Sequence, residues 1–260
     1  MLESVKFCPF GNLEKAREII SEATAAIIVE PIQGESGIHI PPEDFLAGLR
    51  TLADKVGATL IFDEVQSGFG RTGKMWACEN WQVRPDILTA SKGIAGGVPF
   101  GFTAVTESIS SSLKPGEHTS TFGGNALSCA AALAALNFLQ EERLLQKAEE
   151  NGNYFIQKLK DIILVRHPKL VREVRGKGLM IAVELKVPVK EVIEQGFDHG
   201  LVLLYAGLNI LRFLPPLVIT KEQIDTVVFS LDDILSTVEK SSQQTLKKPS
   251  VTGPAIEAEA

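Results

Sequence analysis

Hydrophobic residues in the first half of the chain fall into short runs separated by polar or glycine-rich loops. Three continuous apolar runs predict strands that are buried on both faces, because a strand with one face in solvent would alternate apolar and polar residues. A fourth run fits a further strand. The four runs span residues 25–30, 58–64, 86–91 and 100–106.

Apolar residues between and after these runs recur at helical spacing, as in the stripe of Phe45, Leu49 and Ala53 that ends at Gly57. Strands that alternate with helices predict an α/β fold with a mainly parallel, doubly wound sheet covered on both sides. In such a sheet, ligands bind at the carboxyl ends of the strands. The predicted helices of this half span residues 12–21, 42–57 and 125–139.

The pattern changes after residue 142, where a charge-rich helix is followed by shorter strands. We therefore predict a larger first domain over residues 1–142, a small α+β domain over 143–240, and a disordered tail over 241–260 that lacks apolar periodicity. In the second domain, we expect a helix at 142–163, strands at 171–178, 179–185, 201–205 and 209–214, and helices at 189–198 and 221–239.

Composition excludes several classes of protein. A net charge of −6 without a basic cluster disfavours nucleic-acid binding, and no apolar run approaches membrane-spanning length. The widely spaced Cys8, Cys78 and Cys129 are expected to be free thiols in a reducing cytoplasm, without a metal site. We expect His167, like the other histidines, in a loop or at the surface. These features indicate a cytoplasmic enzyme rather than an exported or anchored protein.

Polar residues follow the predicted strands at three places, Glu30, Asp63 and Lys92. Any one of them is most simply explained as a polar residue that finishes a strand, but three at one sheet edge favour a site. A buried carboxylate at Asp63 could keep a pyridine ring protonated, and a lysine at Lys92 could lose its proton when desolvated. Small residues after Lys92, including Gly96, leave room for a bulky ring near the backbone.

The loop after Asp63 contains the spacing Gly68-x-Gly70-x-x-Gly73, which alone is weak evidence for a dinucleotide site. The acidic residue precedes the glycines and no long helix opens directly after them, so a Rossmann interpretation fits poorly. Pyridoxal chemistry accounts better for the same segment, because it needs both an acid beside the ring nitrogen and a lysine.

Six segments, in the same order along the chain, resemble the motif series of class III pyridoxal-phosphate-dependent aminotransferases, in particular the acetylornithine, ornithine and LysW-lysine group without its N-terminal portion. The resemblance implies the fold type I architecture of these transferases, with residues 1–142 as part of the large cofactor-binding domain. The segments are EPIQGESG (30–37), IFDEVQSGFGRTGKMWA (61–77), PDILTASKGIAGGVPFG (85–101), HTSTFGGNALSCAAALA (118–134), RGKGLMIAVEL (175–185) and LRFLPPLVIT (211–220).

The resemblance implies roles for residues at the cofactor. Lys92 would form a Schiff base with pyridoxal 5'-phosphate and then carry a proton between substrate and cofactor. Asp63 would pair with the ring nitrogen in a cavity shared with Lys92, and Gln66 would lie against the ring and its phenolic oxygen. Thr121 would reach the cofactor phosphate of a neighbouring subunit, which implies a homodimer with shared active sites. Glu30 would support the cofactor end by hydrogen bonding, although a purely structural role is nearly as good an explanation.

The substrates follow from the same resemblance. Arg212 would clamp the α-carboxylate of glutamate or 2-oxoglutarate, and Glu35 would pair with Arg212 while an ω-amine donor is bound. The implied reaction moves an amino group from acetylornithine, ornithine or carrier-bound lysine to 2-oxoglutarate. A 4-aminobutyrate or other ω-amino-acid aminotransferase stays open, because the same residues serve it. An aminomutase or racemase is disfavoured by the Arg212 and Glu35 pair.

The chain departs from the family at its start, since residues 1–24 show neither the phosphate-binding loop nor the ring-stacking aromatic that relatives supply. We therefore expect weak cofactor binding by this chain alone and exposed apolar surface. An alternative of another class is an inactive fragment that needs a complementary N-terminal chain.

Overall fold

The computed structural model describes residues 4–247, with side chains to Ser241. Its α-helices and strands occur at all the predicted places. The helices are α1 (Leu13–Ile19), α2 (Phe45–Val56), α3 (Glu107–Ser110), α4 (Ala126–Glu141), α5 (Leu144–Lys158), α6 (Lys190–Asp198) and α7 (Lys221–Lys247). The strands are β1 (Ala26–Val29), β2 (Thr59–Asp63), β3 (Ile87–Ala90), β4 (Phe102–Val105), β5 (Val171–Lys177), β6 (Met180–Leu185), β7 (Leu204–Ala206) and β8 (Ile210–Phe213).

Local sequence signals set several helix ends. The Asn12 side chain accepts a hydrogen bond from the Lys15 backbone and so caps α1. Helix α2 ends at Gly57, whose φ of 73° suits glycine. Helix α5 continues into a π-helix at Leu159–Leu164. Helix α7 extends beyond residue 240, where a tail was predicted, and the rest of that predicted tail, 248–260, lies outside the described residues.

The first sheet has the order β1-β2-β3-β4, in which β1, β2 and β3 are parallel and β4 is antiparallel to β3. The carboxyl ends of the parallel strands therefore meet at one edge. Glu30 directly follows β1, Asp63 is the last residue of β2, and Lys92 lies shortly after β3. This arrangement confirms that the three polar residues come to a common sheet edge.

Only one face of this sheet is well covered in the described chain. Leu60 and Phe62 are fully buried on the face that packs against α1 and α2. On the other face Ile28 is 69% exposed, and every residue of β4 is exposed. The prediction of strands covered on both faces is therefore wrong for this chain, because α4 packs against the turn after β3 instead of lying across the open side.

The second sheet is antiparallel, with the order β5-β6-β8-β7, and its central strands β6 and β8 are covered on both faces. Ile181 and Val183 of β6 belong to a core shared with α5 and α7, whereas Met180 and Ala182 pack against Ile32 and other residues of the segment after β1. This segment thereby joins the two sheets at the edge where the polar residues lie.

His167 is buried rather than at the surface, with 3% exposure, so that prediction is wrong. Its Nε2 lies 2.8 Å from Oδ1 of Asp232 on α7, which gives the buried imidazole a polar partner. Among residues 4–247, no helix is both long and apolar enough to cross a bilayer.

Candidate active site

A cavity of about 420 Å³ opens at the carboxyl edge of the first sheet. Four of the residues singled out from the sequence line it: Glu35, Gln66, Lys92 and Arg212. The rest of the wall is largely apolar and comes from the loop after β2, from α4 and α5, and from the segment after β8. Its apolar residues include Phe69, Phe138, Leu139, Leu144 and Leu217.

Lys92 occupies a tight turn. It begins the short 3-10 helix Lys92–Ala95 with a φ of 51°, in the left-handed region that a non-glycine residue enters at a cost of about 1 kcal/mol or more. A Cβ at Gly96 or Gly97 would meet no atom within 4 Å, so the backbone beyond the lysine is open to a bulky group. The lysine side chain is exposed on the cavity side.

Asp63 ends the strand next to the one that Lys92 follows, but it does not line the cavity described above. Its Oδ1 accepts hydrogen bonds from the Val65 backbone at 2.9 Å and from the Thr89 hydroxyl at 3.3 Å. Alternation along β2 places the Asp63 side chain on the open face of the sheet, with Ile61. Asp63 is therefore not among the residues that line this cavity, although it and Lys92 follow neighbouring strands.

Arg212 and Glu35 form an ion pair at the cavity wall. Nη1 of Arg212 lies 2.5 Å from Oε2 of Glu35, and Nη2 lies 3.3 Å from Oε1. The arginine side chain is 10% exposed and the glutamate side chain 76%. Hydrogen bonds from Arg212 and Gln66, together with the positive charge of Arg212 and of Lys92, lower the pKa of Glu35. The acid that approaches Lys92 within this cavity is thus Glu35.

Gln66 holds the loop that carries Glu35. Its Nε2 donates to Oε2 of Glu35 at 3.3 Å, and a Cβ at Gly34 would come within 1.7 Å of Gln66 Oε1. A side chain at position 34 would therefore displace Gln66 from its present place beside Glu35. Among the described residues, Gln66 Oε1 and Arg212 Nε are buried without a hydrogen-bond partner. A ligand in the cavity could therefore form hydrogen bonds with these two atoms.

Glu30 and Thr121 differ in their relation to the cavity. Oε2 of Glu30 accepts the Gly34 backbone N–H at 3.1 Å, so the support that Glu30 provides goes to the loop of Glu35. Thr121 lies in the exposed stretch 110–125 and does not line the cavity. Glu30 is thus linked to Glu35 through the backbone of the loop that carries Glu35, whereas Thr121 faces solvent.

Sequence analysis missed Glu64, which is 1% exposed. Its carboxylate accepts hydrogen bonds from the Ser67 hydroxyl at 2.6 Å and from the backbone of Ala77 and Cys78 at 3.0 and 2.8 Å. Burial raises its pKa, although these three bonds oppose the rise. A signal existed in the adjacent acids Asp63 and Glu64, because successive residues at the end of a strand point in opposite directions and so have different surroundings.

Arg71 is a second residue that the sequence did not reveal. Its guanidinium lines the cavity and donates to the carbonyl of Pro215, and burial lowers its pKa. Its own carbonyl accepts the Leu179 N–H at 2.8 Å. The loop after β2 is thereby hydrogen-bonded to the turn between β5 and β6 and to the segment after β8.

Comparison with known proteins agrees with this geometry. The profile of the family described as Aminotransferase class-III matches residues 3–235. This chain belongs to the class III aminotransferases. It is 43% identical over 235 residues to an acetylornithine aminotransferase of Methanocaldococcus jannaschii, and 45% identical over 239 residues to a [LysW]-aminoadipate semialdehyde transaminase of Deinococcus radiodurans.

The class III chain also resembles solved structures. An ornithine aminotransferase from Toxoplasma gondii superimposes with a TM-score of 0.86 at 33% identity, over 91% of this chain and 57% of the other. The two relatives by sequence are matched over 90% and 91% of this chain, but only over 58% and 54% of their own lengths. The chain therefore spans little more than half of the proteins it resembles.

Proposed function

We propose that this chain carries the lysine-bearing half of a pyridoxal-phosphate-dependent aminotransferase site. The observation that carries the proposal is the single cavity into which Lys92 and the Arg212–Glu35 pair both open. These are the residues that hold a cofactor and a carboxylate substrate in the motif series of the family. The cofactor assignment is supported by the family match and by a Toxoplasma gondii relative whose structure is described as having partial occupancy of PLP at its active site.

The residues present fit the ring end of such a cofactor. The Lys92 amine would hold the aldehyde carbon covalently, and the buried Oε1 of Gln66 could take the phenolic hydroxyl as a donor. Pyridoxal 5'-phosphate, when bound, supplies the electron sink for proton removal beside an amine. Asp63 would stabilise a protonated ring nitrogen, and Thr121 of a second copy would bind the phosphate.

The chain's own groups have distinct tasks in this scheme. Lys92, once released from the cofactor, would move the proton at the substrate carbon that bears the amine. Arg212 would bind the α-carboxylate of glutamate or 2-oxoglutarate through its planar fork. Glu35 would occupy that fork while an ω-amine donor of the acetylornithine, ornithine or carrier-bound lysine type is in place, which lets one cavity accept two kinds of substrate.

The lysine assignment is tested by reduction. The full chain is incubated with pyridoxal 5'-phosphate, treated with borohydride and mapped by peptide mass spectrometry, which detects weak binding. We expect the added mass mainly at Lys92 and its loss in Lys92→Ala. The control Lys74→Ala removes an exposed lysine paired with Glu149 and should leave the label in place. Label spread evenly over surface lysines would contradict the proposal.

The assignment of the α-carboxylate substrate is tested by substitution of Arg212. In the presence of a complementary N-terminal chain, with 2-oxoglutarate as acceptor and acetylornithine or ornithine as donor, Arg212→Lys should raise the KM for 2-oxoglutarate far more than the KM for the donor, because a lysine cannot offer the bidentate fork. Equal effects on the two substrates would argue against this role for Arg212.

A further inference from the structure

We propose that Arg175 is a positioning residue for Glu35. It holds the backbone that carries Glu35, so that the Glu35 side chain can pair with Arg212 or leave it while the backbone stays in place. The inference rests on the proposed function for the role of Glu35, but Arg175 itself does not line the cavity. The backbone concerned is the segment 33–39, called here the Glu35 hairpin.

The Glu35 hairpin is a closed turn with a strained residue in it. The backbone groups of Gln33 and His39 exchange two hydrogen bonds, of 3.0 and 2.9 Å, which close the turn. Ile38 is fully buried and has a φ of 55°, in the left-handed region that a β-branched residue adopts only where its surroundings hold it there. The hairpin therefore needs contacts from outside to keep its shape.

Arg175 of β5 supplies such contacts. Its Nε donates to the carbonyls of Gly37 and Ile38 at 3.1 and 3.2 Å, and its Nη2 donates to the carbonyl of Gly37 at 2.8 Å. Hydrogen bonds from a charged donor are stronger than those between neutral groups. All three bonds go to the backbone, so they do not depend on where the Glu35 side chain points.

The Arg175 side chain is itself held within the second sheet. It is 12% exposed, and its Nη1 lies 2.7 Å from Oε2 of Glu184 and 2.8 Å from Oε2 of Glu173. The hydrogen bond from Arg175 is the main cause that lowers the pKa of Glu184, so this carboxylate is charged beside the arginine near neutral pH. Because its charge is balanced in this way, Arg175 can bind the hairpin without a substrate anion.

The strand register places Arg175 and Arg212 in one row. Arg175 pairs with Ala182 of β6, and Ala182 pairs with Arg212 of β8, so the three side chains lie on the same face of the second sheet. Ala182 is fully buried and belongs to one hydrophobic cluster with Ile38 of the hairpin. The hairpin thus packs over the small residue between the two arginines, where Arg175 binds its backbone and Arg212 binds Glu35.

This division of contacts predicts how Glu35 leaves Arg212. The hairpin backbone is bound on one side by Arg175 and on the other by Glu30, whose Oε2 accepts the Gly34 N–H at 3.1 Å. The Glu35 side chain is 76% exposed, so it can rotate into solvent while the backbone stays. Without Arg175 the hairpin would be free to move away from Arg212, and the ion pair would weaken.

The first experiment is an NMR titration of the Glu35 carboxyl carbon in the full chain. Arg175→Gln should raise the pKa of Glu35 toward its ordinary value of 4.5, by less than Arg212→Gln does, because a displaced hairpin weakens the ion pair that lowers this pKa. The matched control is Arg172→Gln, which should leave the titration unchanged. Arg172 lies on the same strand and pairs with the same Glu184 at 2.7 Å, but the described residues show no hydrogen bond from it to the hairpin.

Amide hydrogen exchange at His39 separates movement of the backbone from rotation of the side chain. The His39 N–H donates to the Gln33 carbonyl at 2.9 Å within the hairpin. Arg175→Gln should speed its exchange by about tenfold or more, because hydrogen bonds from a charged donor are lost. Arg212→Gln should leave the exchange near that of the unaltered chain. Faster exchange in Arg212→Gln than in Arg175→Gln would overturn the inference.

Thermal melting shows whether Arg175→Gln folds, and Arg175→Lys takes its place if it does not. Lysine keeps the charge beside Glu184 but lacks the fork that reaches two carbonyls, so it should also raise the pKa of Glu35. An unchanged Glu35 titration in a folded Arg175 variant, or an equal rise in Arg172→Gln, would show that Arg175 does not position Glu35. Labelling of Lys92 by pyridoxal 5'-phosphate tests the proposed function separately, since Arg175 does not line that cavity.

Discussion

Both sheets of this protein contribute residues to the same cavity. The rest of the chain, however, covers the faces of the two sheets to very different extents. In β6 of the second sheet, all residues except Glu184 are buried, because α5 and α7 pack on one face and the segment after β1 on the other. In β4 of the first sheet, all residues are exposed. The central strands of the second sheet are covered on both faces within this chain, whereas the first sheet has one bare face.

The difference separates two residues of the proposed site, Arg212 and Asp63. Arg212 belongs to the second sheet, and its guanidinium is held by Glu35 and by the Gly34 carbonyl at 3.3 Å. Asp63 belongs to the first sheet and opens toward its bare side. The Arg212–Glu35 pair, proposed above as the substrate clamp, is therefore formed within this chain, whereas Asp63, the acid proposed for the ring nitrogen, lies on the exposed face of the first sheet.

The largest effect that we expect from this contrast is on the free energy of unfolding. Phe155→Ala removes a ring that is 1% exposed and packs edge-on against Phe213 with centroids 5.4 Å apart, so we expect a loss of about 3–5 kcal/mol in the free energy of unfolding. Ile28→Ala on the open face should cost under about 0.5 kcal/mol. Urea denaturation followed by circular dichroism compares the two. Similar costs would mean that the open face is covered in solution.

A middle-sized effect is expected at Glu64. Glu64→Gln places an amide donor among three donors that now bond a carboxylate, and it should lower the free energy of unfolding by about 1–3 kcal/mol. The control Glu79→Gln alters an exposed residue that accepts one backbone hydrogen bond and should stay within about 0.5 kcal/mol. If both variants behave alike, Glu64 does not hold the loop that lines the cavity.

The smallest effect is the titration of Glu35. Because the pKa of Glu35 lies below its ordinary value of 4.5, its ion pair with Arg212 is fully formed above that pH and is lost as the pH falls through the lowered pKa. Arg212→Gln should move the pKa of Glu35 upward, toward 4.5, in an NMR titration of its carboxyl carbon. Lys74→Gln should leave the titration unchanged. The change in stability should be small, since Glu35 is 76% exposed.

The helices, the strands and the order of the motifs could be predicted from the sequence. Continuous apolar runs predicted the strands of the first sheet, and apolar residues at helical spacing predicted the helices, because side-chain direction repeats every 3.6 residues in a helix. The pairing of Arg212 with Glu35, 177 positions apart, was expected only because of the family resemblance. Burial of His167 against Asp232 was missed, because its partner lies 65 positions along the chain on α7.

The sequence by itself determined which residues end the parallel strands, since a strand's length and its following loop are local properties. It thereby placed Glu30, Asp63 and Lys92 at a single edge. Only the tertiary structure decided which face of each sheet is covered, that Glu64 enters the core beside Asp63, and that Lys92 shares its cavity with Glu35. These outcomes depend on packing between distant segments, and an apolar run looks the same in sequence whether or not the chain supplies a layer to cover it.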